Sequence, residues 1–369
     1  MKALLVARKS LLEMAREAQL LGLVLALPLV FLVITAVTYT GSYWITHPVW
    51  VQDAGGQGEA LVAELEAQRY ADGRPVFEIT RVDDRTAADA SLQEQAITAL
   101  LVIDNPVGVP PGADGGVTIV GDALNPRFYR ASVVLDGAIS RHADRLAGVP
   151  EVVRLVEEPL LAGAVSEFDL YAPGMIVFAL LMIIPQTAML VARERRWDTL
   201  RRLRLTRLGA GSLLGGISLA QMAVAAVQVV LVFAAALAMG FHNRGSLAMA
   251  LVIGLAISFS SVGLGLVVAG FVENDSQAAN VGSTFAMLQV FLCGAFFQLP
   301  PMTLFRLAGH QIDLFDVFPA SHGFLALQQV LTYGAAPGEV LFRLGATLLL
   351  SALYFVAGIA VFRRWQMRE

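Results

Sequence analysis

Long apolar runs separated by short polar ones make up most of this chain, with one polar block near the front as the exception. Residues 20–38, 171–192, 216–241, 247–271, 278–298 and 340–362 are each long enough to cross a hydrocarbon core of about 30 Å. The first run is too long for the core of a cleaved signal and no A-x-A pattern follows it, so it is expected to remain as a span. Ahead of it, residues 1–19 set Leu4, Ala7, Leu11, Ala15 and Ala18 at helical spacing, with Lys2, Arg8, Lys9 and Arg16 elsewhere on the wheel. That pattern predicts an interfacial helix leading into the membrane. Residues 299–339 are apolar but broken by Pro300, Pro301, Pro319 and Pro337, which predicts half-helices or a surface helix and not a straight crossing.

Residues 41–170 follow a different rhythm. Strand patterns at 49–52, 76–82, 97–103 and 117–120 alternate with helical runs at 58–70, from Thr86 to about 95, and from Asn125–Pro126 to about 147. Thr86 with Asp89 reads as a helix start, and Asn125 followed by Pro126 as an N-cap with a first-turn proline. The block is expected to fold as an α/β domain. The predicted organisation is an interfacial helix (1–19), a first span (20–40), this domain (41–170), and five further spans in 171–369.

Composition fixes the class. The chain is 56% hydrophobic and 15% charged, against about 25% charged in ordinary globular chains, so it reads as a polytopic membrane protein. The net charge of −4 conceals a split: residues 41–170 hold 20 of the 30 acids and 9 of the 26 bases, leaving that block at −11 and the remainder at +7. Positive charge concentrates in one polar stretch between spans, Arg193 to Leu208, where seven of sixteen residues are arginine. With six spans and the amino terminus in the cytoplasm, that stretch and the tail bearing Arg363, Arg364 and Arg368 lie inside, as the positive-inside rule requires. The acidic domain then lies outside, and a bacterial cytoplasmic membrane is the expected location. Glu273 and Asp275 form an acidic inner turn without a base of their own.

Candidate chemistry is sparse. No G-x-x-x-x-G-K-[ST] loop is present, so ATP is not bound by that route. Ion-coupled carriers bury ionisable groups in their spans, and here only Arg343 does so clearly, four residues after Glu339, which is a natural local partner. Energy is therefore expected from another subunit. His310, Asp313, Asp316 and His322 cluster in the proline-broken segment, but their spacing matches no H-E-x-x-H site. No metal is expected, and the lone Cys293 excludes an internal disulfide. Gln186, Gln221, Gln228, Asn280, Thr284 and Gln289 are polar positions inside spans, suited either to interhelical hydrogen bonds or to lining a translocation path. Gly254, Ser258, Ser261 and Gly265 lie at the small-residue spacing that permits close helix packing. The arginine stretch reads either as a lipid anchor or as a short docking helix for a cytoplasmic motor, since Trp197, Leu200 and Leu208 add apolar contacts beside the charge.

The order of elements resembles a permease of the type-2 ABC exporter family. In that family the loop after the second span runs close to R-E-R-E-x-G-T-L-E-R-L-x-x-T-P. This sequence keeps Arg193, Glu194, Arg195, Thr199, Leu200, Arg202, Leu203 and Thr206, and departs at Arg196, Asp198, Arg201 and Arg207. Pro173-Gly174, Leu124-Asn125-Pro126, Gly294-Ala-Phe-Phe and Phe318-Pro319 resemble further family motifs. The resemblance implies a non-catalytic subunit that dimerises with a second permease and couples through residues 193–210 to separate ATP-binding subunits, which hold the ATP and magnesium. It implies export of a hydrophobic or amphiphilic substrate, with membrane lipids and no nucleic acid as other partners. The surplus arginines predict a more acidic ATPase groove or pairing with a second, more typical permease. The alternative reading is a membrane-anchored sensor whose α/β domain recognises a ligand.

Overall fold

The computed structural model describes residues 2–16, 18–39, 46–53, 56, 58–70, 73–94, 96–103, 116–122, 125–148, 166–196, 209–297, 302–307 and 310–366. In chain order the elements are α1 (Lys2–Arg16), α2 (Ala18–Tyr39), β1 (His47–Asp53), α3 (Glu59–Ala67), β2 (Phe77–Arg81), α4 (Arg85–Gln93), β3 (Ala99–Ile103), β4 (Val117–Val120) and α5 (Pro126–Leu146). There follow α6 (Glu167–Leu181), α7 (Ile183–Arg196), α8 (Ala210–Ala238), α9 (Leu247–Ala269), α10 (Asp275–Leu292), β5 (Thr303–Leu307), β6 (His310–Asp313), a 3-10 turn (Leu314–Val317), α11 (Pro319–Leu331) and α12 (Leu341–Gln366). The chain divides into two compact units, one formed by Met1–Gly41 with Val165–Glu369 and the other by Ser42–Ala164.

The smaller unit is a four-stranded sheet in the order β2-β1-β3-β4, with β1 parallel to both neighbours and β4 antiparallel to β3. Alternation along the strands sends residues to two faces. Val49, Val51, Leu101 and Ile103 pack with Leu61, Leu65, Ala131 and Leu135 of α3 and α5, while Leu100 and Val102 pack with Ala88 and Leu92 of α4. Covered on both faces, β3 is buried at every position, which is why it reads as a continuous apolar run. Asn125 caps α5 as its sequence suggests, its side chain accepting from the Arg127 amide at 3.0 Å. At α4 the cap is Asp84, which accepts from the amides of Thr86 and Ala87. The helix thus starts one residue before the expected Thr86, because an aspartate two residues upstream supplies the acceptor.

The larger unit is an α-helical bundle. Four of its helical stretches among the described residues are long and apolar enough to cross a membrane: Phe168–Glu194, Gly211–Ala238, Leu247–Ala269 and Leu341–Arg364. The first of these runs through α6 and α7, which break at Met182. Shorter apolar helix lies within α2 (Leu25–Thr38). The helix α9 is central, packed against α7, α8, α11 and α12. Small residues allow this. A Cβ on Gly265 would stand 2.8 Å from the Ile184 carbonyl oxygen on α7, and one on Gly254 would stand 3.2 Å from Val229 on α8. The hydroxyls of Ser258 and Ser261 donate to the carbonyls of Gly254 and Ile257 and so expose no unpaired donor within the bundle. Residues 302–331 form an antiparallel hairpin (β5–β6), the 3-10 turn and the largely buried α11. The proline-broken segment therefore contributes a helix to the bundle and a hairpin that its irregular apolar pattern did not announce.

Candidate functional site

The arginine-rich stretch begins on the last turn of α7, where Arg193 and Glu194 follow an uncharged run of the helix. Being adjacent, they point about 100° apart around it, and each meets a different element. Arg193 donates through Nε to Oδ2 of Asp275 at 3.0 Å. Asp275 is the first residue of α10, where a carboxylate also faces the positive end of the helix dipole. Glu194 accepts from Nζ of Lys9 on α1 at 2.7 Å. The Glu194 side chain is 7% exposed and that of Lys9 42%. Partial burial pulls the Lys9 ammonium down, but its hydrogen bond and attraction to Glu194, aided by Glu13 at 3.5 Å, hold it above the ordinary lysine value. Asp275 belongs to the acidic turn that lacked a nearby base in sequence; Arg193, 82 positions away, pairs with it.

Further contacts gather at this end of the bundle. The helix α1 lies on α8, with Ala7 and Met14 packed on Ala220 and Val224. A Cβ on Gly216 of α8 would meet the Ala3 carbonyl of α1 at 2.6 Å, so that glycine permits the approach. A Cβ on Gly211 would stand 3.4 Å from the Arg363 guanidinium, which places the end of α12 beside the first turn of α8. Arg195 lies on the last turn of α7, its side chain outside the described residues. Trp197, Thr199, Leu200, Arg202, Leu203 and Thr206 also lie outside them. Lys9 and Asp275, which the sequence did not pair with the stretch, are the partners of its first two residues.

The six polar positions within the helices divide into separate places. Gln221 on α8 donates to Oε1 of Gln186 on α7 at 2.9 Å, and Gln228 donates to the Ala179 carbonyl of α6 at 2.8 Å. Both are buried, and together they tie α8 to the two halves of the broken helix. Gln289 is buried on α10, whereas Asn280 and Thr284 lie on its exposed side, the Thr284 hydroxyl donating to the Asn280 carbonyl.

No group of three or more metal-ligating side chains gathers among the described residues, and the side chain of His310 lies outside them. Asp316 instead accepts from the Asp313 amide at 3.0 Å, capping the 3-10 turn. His322 is buried on α11 with its ring against Phe342. Arg343, on α12, lies within electrostatic reach of the Asp316 and Asp313 carboxylates of the 3-10 turn.

In the α/β unit an open cleft of about 520 Å³ is lined by Ala60, Ala63, Glu64, His142, Arg145 and Leu146. Its one carboxylate is engaged, since Glu64 meets His142 Nδ1 at 2.8 Å and also pairs with Arg145. The pairing ties α3 to α5. His47, buried at the start of β1, has no partner for Nδ1. Burial, with Arg130 and Arg127 nearby, pushes its pKa down to about 4.

In a comparison with known families, the model of a family described as "ABC-2 family transporter protein" matches residues 19–360. No curated protein matches the chain significantly.

Proposed function

The chain belongs to the ABC-2 family of transporter proteins, and on that footing we propose that it is the permease subunit of an ATP-driven exporter. Proteins of this family are non-catalytic, multi-pass membrane permeases that typically form dimers and pair with ATP-binding subunits. The finer reading has six crossings, made by α2, the α6–α7 pair, α8, α9, α10 and α12. Both termini and residues 193–210 lie in the cytoplasm, and residues 41–170 lie outside. ATP-driven closure of the motor subunits pushes on the stretch after α7, and the helices shift between inward-open and outward-open packings. Nucleotide moves that equilibrium only through its differential affinity for the two states. A hydrophobic or amphiphilic substrate enters from the cytoplasm or inner leaflet. Asn280 and Thr284, on the open side of α10, are assigned to its path between two subunits.

The observation that carries this reading is the pair of ion bridges at the root of the stretch. A lipid anchor needs charge alone. Here Arg193 and Glu194 spend their charge inside the protein, joining α7 to α10 and to α1, so force applied just beyond them reaches three elements at once. The test is co-expression with candidate ABC ATP-binding subunits. A stable complex whose ATP hydrolysis rises in the presence of this chain is expected. A chain that purifies alone and leaves the hydrolysis rate unchanged contradicts the reading.

A further inference from the structure

The apolar stretch made by α6 and α7 is interrupted at Met182, and the interruption has a local cause. Pro185 has no amide hydrogen to donate to the Leu181 carbonyl four residues back, and its ring crowds that carbonyl. The Thr187 hydroxyl donates to the Ile183 carbonyl at 2.9 Å, a back-bond of the kind that bends helices. A helix broken in this way resists bending less than a continuous one. Beside the break runs α8, an unbroken helix with no proline, and it meets both halves. After the break Gln221 donates to Gln186 at 2.9 Å, and before it Gln228 donates to the Ala179 carbonyl at 2.8 Å. The seven residues from Gln221 to Gln228 match the seven from Ala179 to Gln186, so the two bonds sit on either side of Met182. Both glutamines are wholly buried, and each leaves its Oε1 without a partner among the described residues. A leucine at either place would avoid that cost, so the donated bond, not packing, accounts for the amide.

We propose that Gln221 and Gln228 are positioning residues that splint the break, so that α6 and α7 move as one piece when load enters at Arg193 and Glu194. The inference deepens the permease reading and rests on it for the source of the load; the splint itself stands on hydrogen bonds within this chain. Gln228 carries the larger share. Its acceptor is a backbone carbonyl whose helical donor would be the amide of Ile183, the first residue after the break. A second helix thus supplies the kind of bond that the ladder supplies elsewhere, in a setting without water to replace it. Gln221 meets a half-buried side chain instead, which can turn to follow a movement. Compliance is concentrated at Met182 because the half after it is held along its length. A Cβ on Gly282 of α10 would stand 2.5 Å from the Pro185 Cα, and Arg193 pairs with Asp275 of the same helix. Those contacts fix α7 to α10 over about 12 Å.

The test is amide hydrogen exchange of the full-length chain in lipid nanodiscs, followed in peptides covering residues 179–187. Gln228→Leu removes the donor and is expected to raise exchange there several-fold, while peptides of α9 and α12 keep their wild-type rates. Gln221→Leu is an independent second variant with the same expected direction and a smaller rise. Pro185→Ala returns an amide hydrogen to the Leu181 carbonyl and keeps a Cβ against Gly282, so adding it to Gln228→Leu is expected to restore the wild-type rate. Unchanged exchange in both glutamine variants overturns the splint. A rise spread over the whole bundle, or a local rise that Pro185→Ala leaves in place, marks a packing role and overturns it as well. Coupling is read separately, with an ATP-binding subunit whose hydrolysis the wild-type chain stimulates. Gln228→Leu is expected to keep that stimulation and to lose transport several-fold, with recovery in the double variant. Wild-type transport despite raised local exchange overturns the role in coupling and leaves the permease reading intact. A wild-type chain that stimulates no ATP-binding subunit contradicts the permease reading and the coupling role together, while exchange still decides the splint.

Discussion

The two ion bridges at the end of α7 differ in what their loss leaves behind. Glu194 is almost wholly buried and Lys9 is nearly half exposed, so a lysine without its partner returns to water, whereas the carboxylate cannot. Lys9→Ala is therefore expected to cost more than Glu194→Gln, roughly 1–3 kcal/mol against less than about 1, read from the thermal midpoint of the purified chain. Equal shifts for the two variants would show that burial of Glu194 does not matter. Because Lys9 is held above the ordinary value of 10.5, the charged pair is present through the neutral range, and its contribution is lost only as pH rises past the raised value. His47 carries the opposite sign. Its folded value near 4 lies below the ordinary 6.5, so between those limits the unfolded imidazole binds a proton that the folded one refuses. Stability is fully present above about pH 6.5 and is lost as pH falls toward 4. Unfolding followed by the fluorescence of Trp50, three residues on in the same strand, should show a midpoint that drops over that window, with a shallower drop in His47→Leu.

At the scale of elements, the contacts of α9 depend on what its glycines lack. A Cβ on Gly265 would meet Thr187 Cβ at 2.6 Å and the Ile184 carbonyl at 2.8 Å, both on α7, whereas Gly345 on α12 faces open space. Gly265→Ala is expected to destabilise by about 1–3 kcal/mol, and Gly345→Ala to be neutral or stabilising by about 0.5–1 kcal/mol. Denaturation of the two variants side by side checks the contrast. Several features of this kind were legible from spacing: the small-residue stripe of α9, the Asn125–Pro126 start of α5, and the fully apolar β3. The Asp84 cap of α4 was missed because Thr86 and Asp89 offered a rival start two residues on. The hairpin was missed because residues 302–313 follow no clean period of two, the bulge at Leu304 having broken it. Pairings across 82 and 185 positions leave no local signature, so Asp275 and Lys9 could be found only once the helices were in place.

For the molecule as a whole, charge and hydropathy were enough to separate an acidic α/β insert from an apolar bundle, and the order of motifs matched the family to which the chain belongs. Partner choices inside the bundle were less legible. Gln221 pairs with Gln186 while Gln228 reaches the Ala179 backbone, a distinction set by the break at Met182 and not by the identical residue types. The account turns on the stretch after Arg196 as the point where motor force enters. The most direct measurement is ATP hydrolysis and transport by the reconstituted complex carrying Trp197→Asp and Leu200→Asp together. The account predicts normal membrane insertion, loss of transport, and ATP hydrolysis no longer stimulated by this chain. Wild-type stimulation and transport in that variant would contradict it.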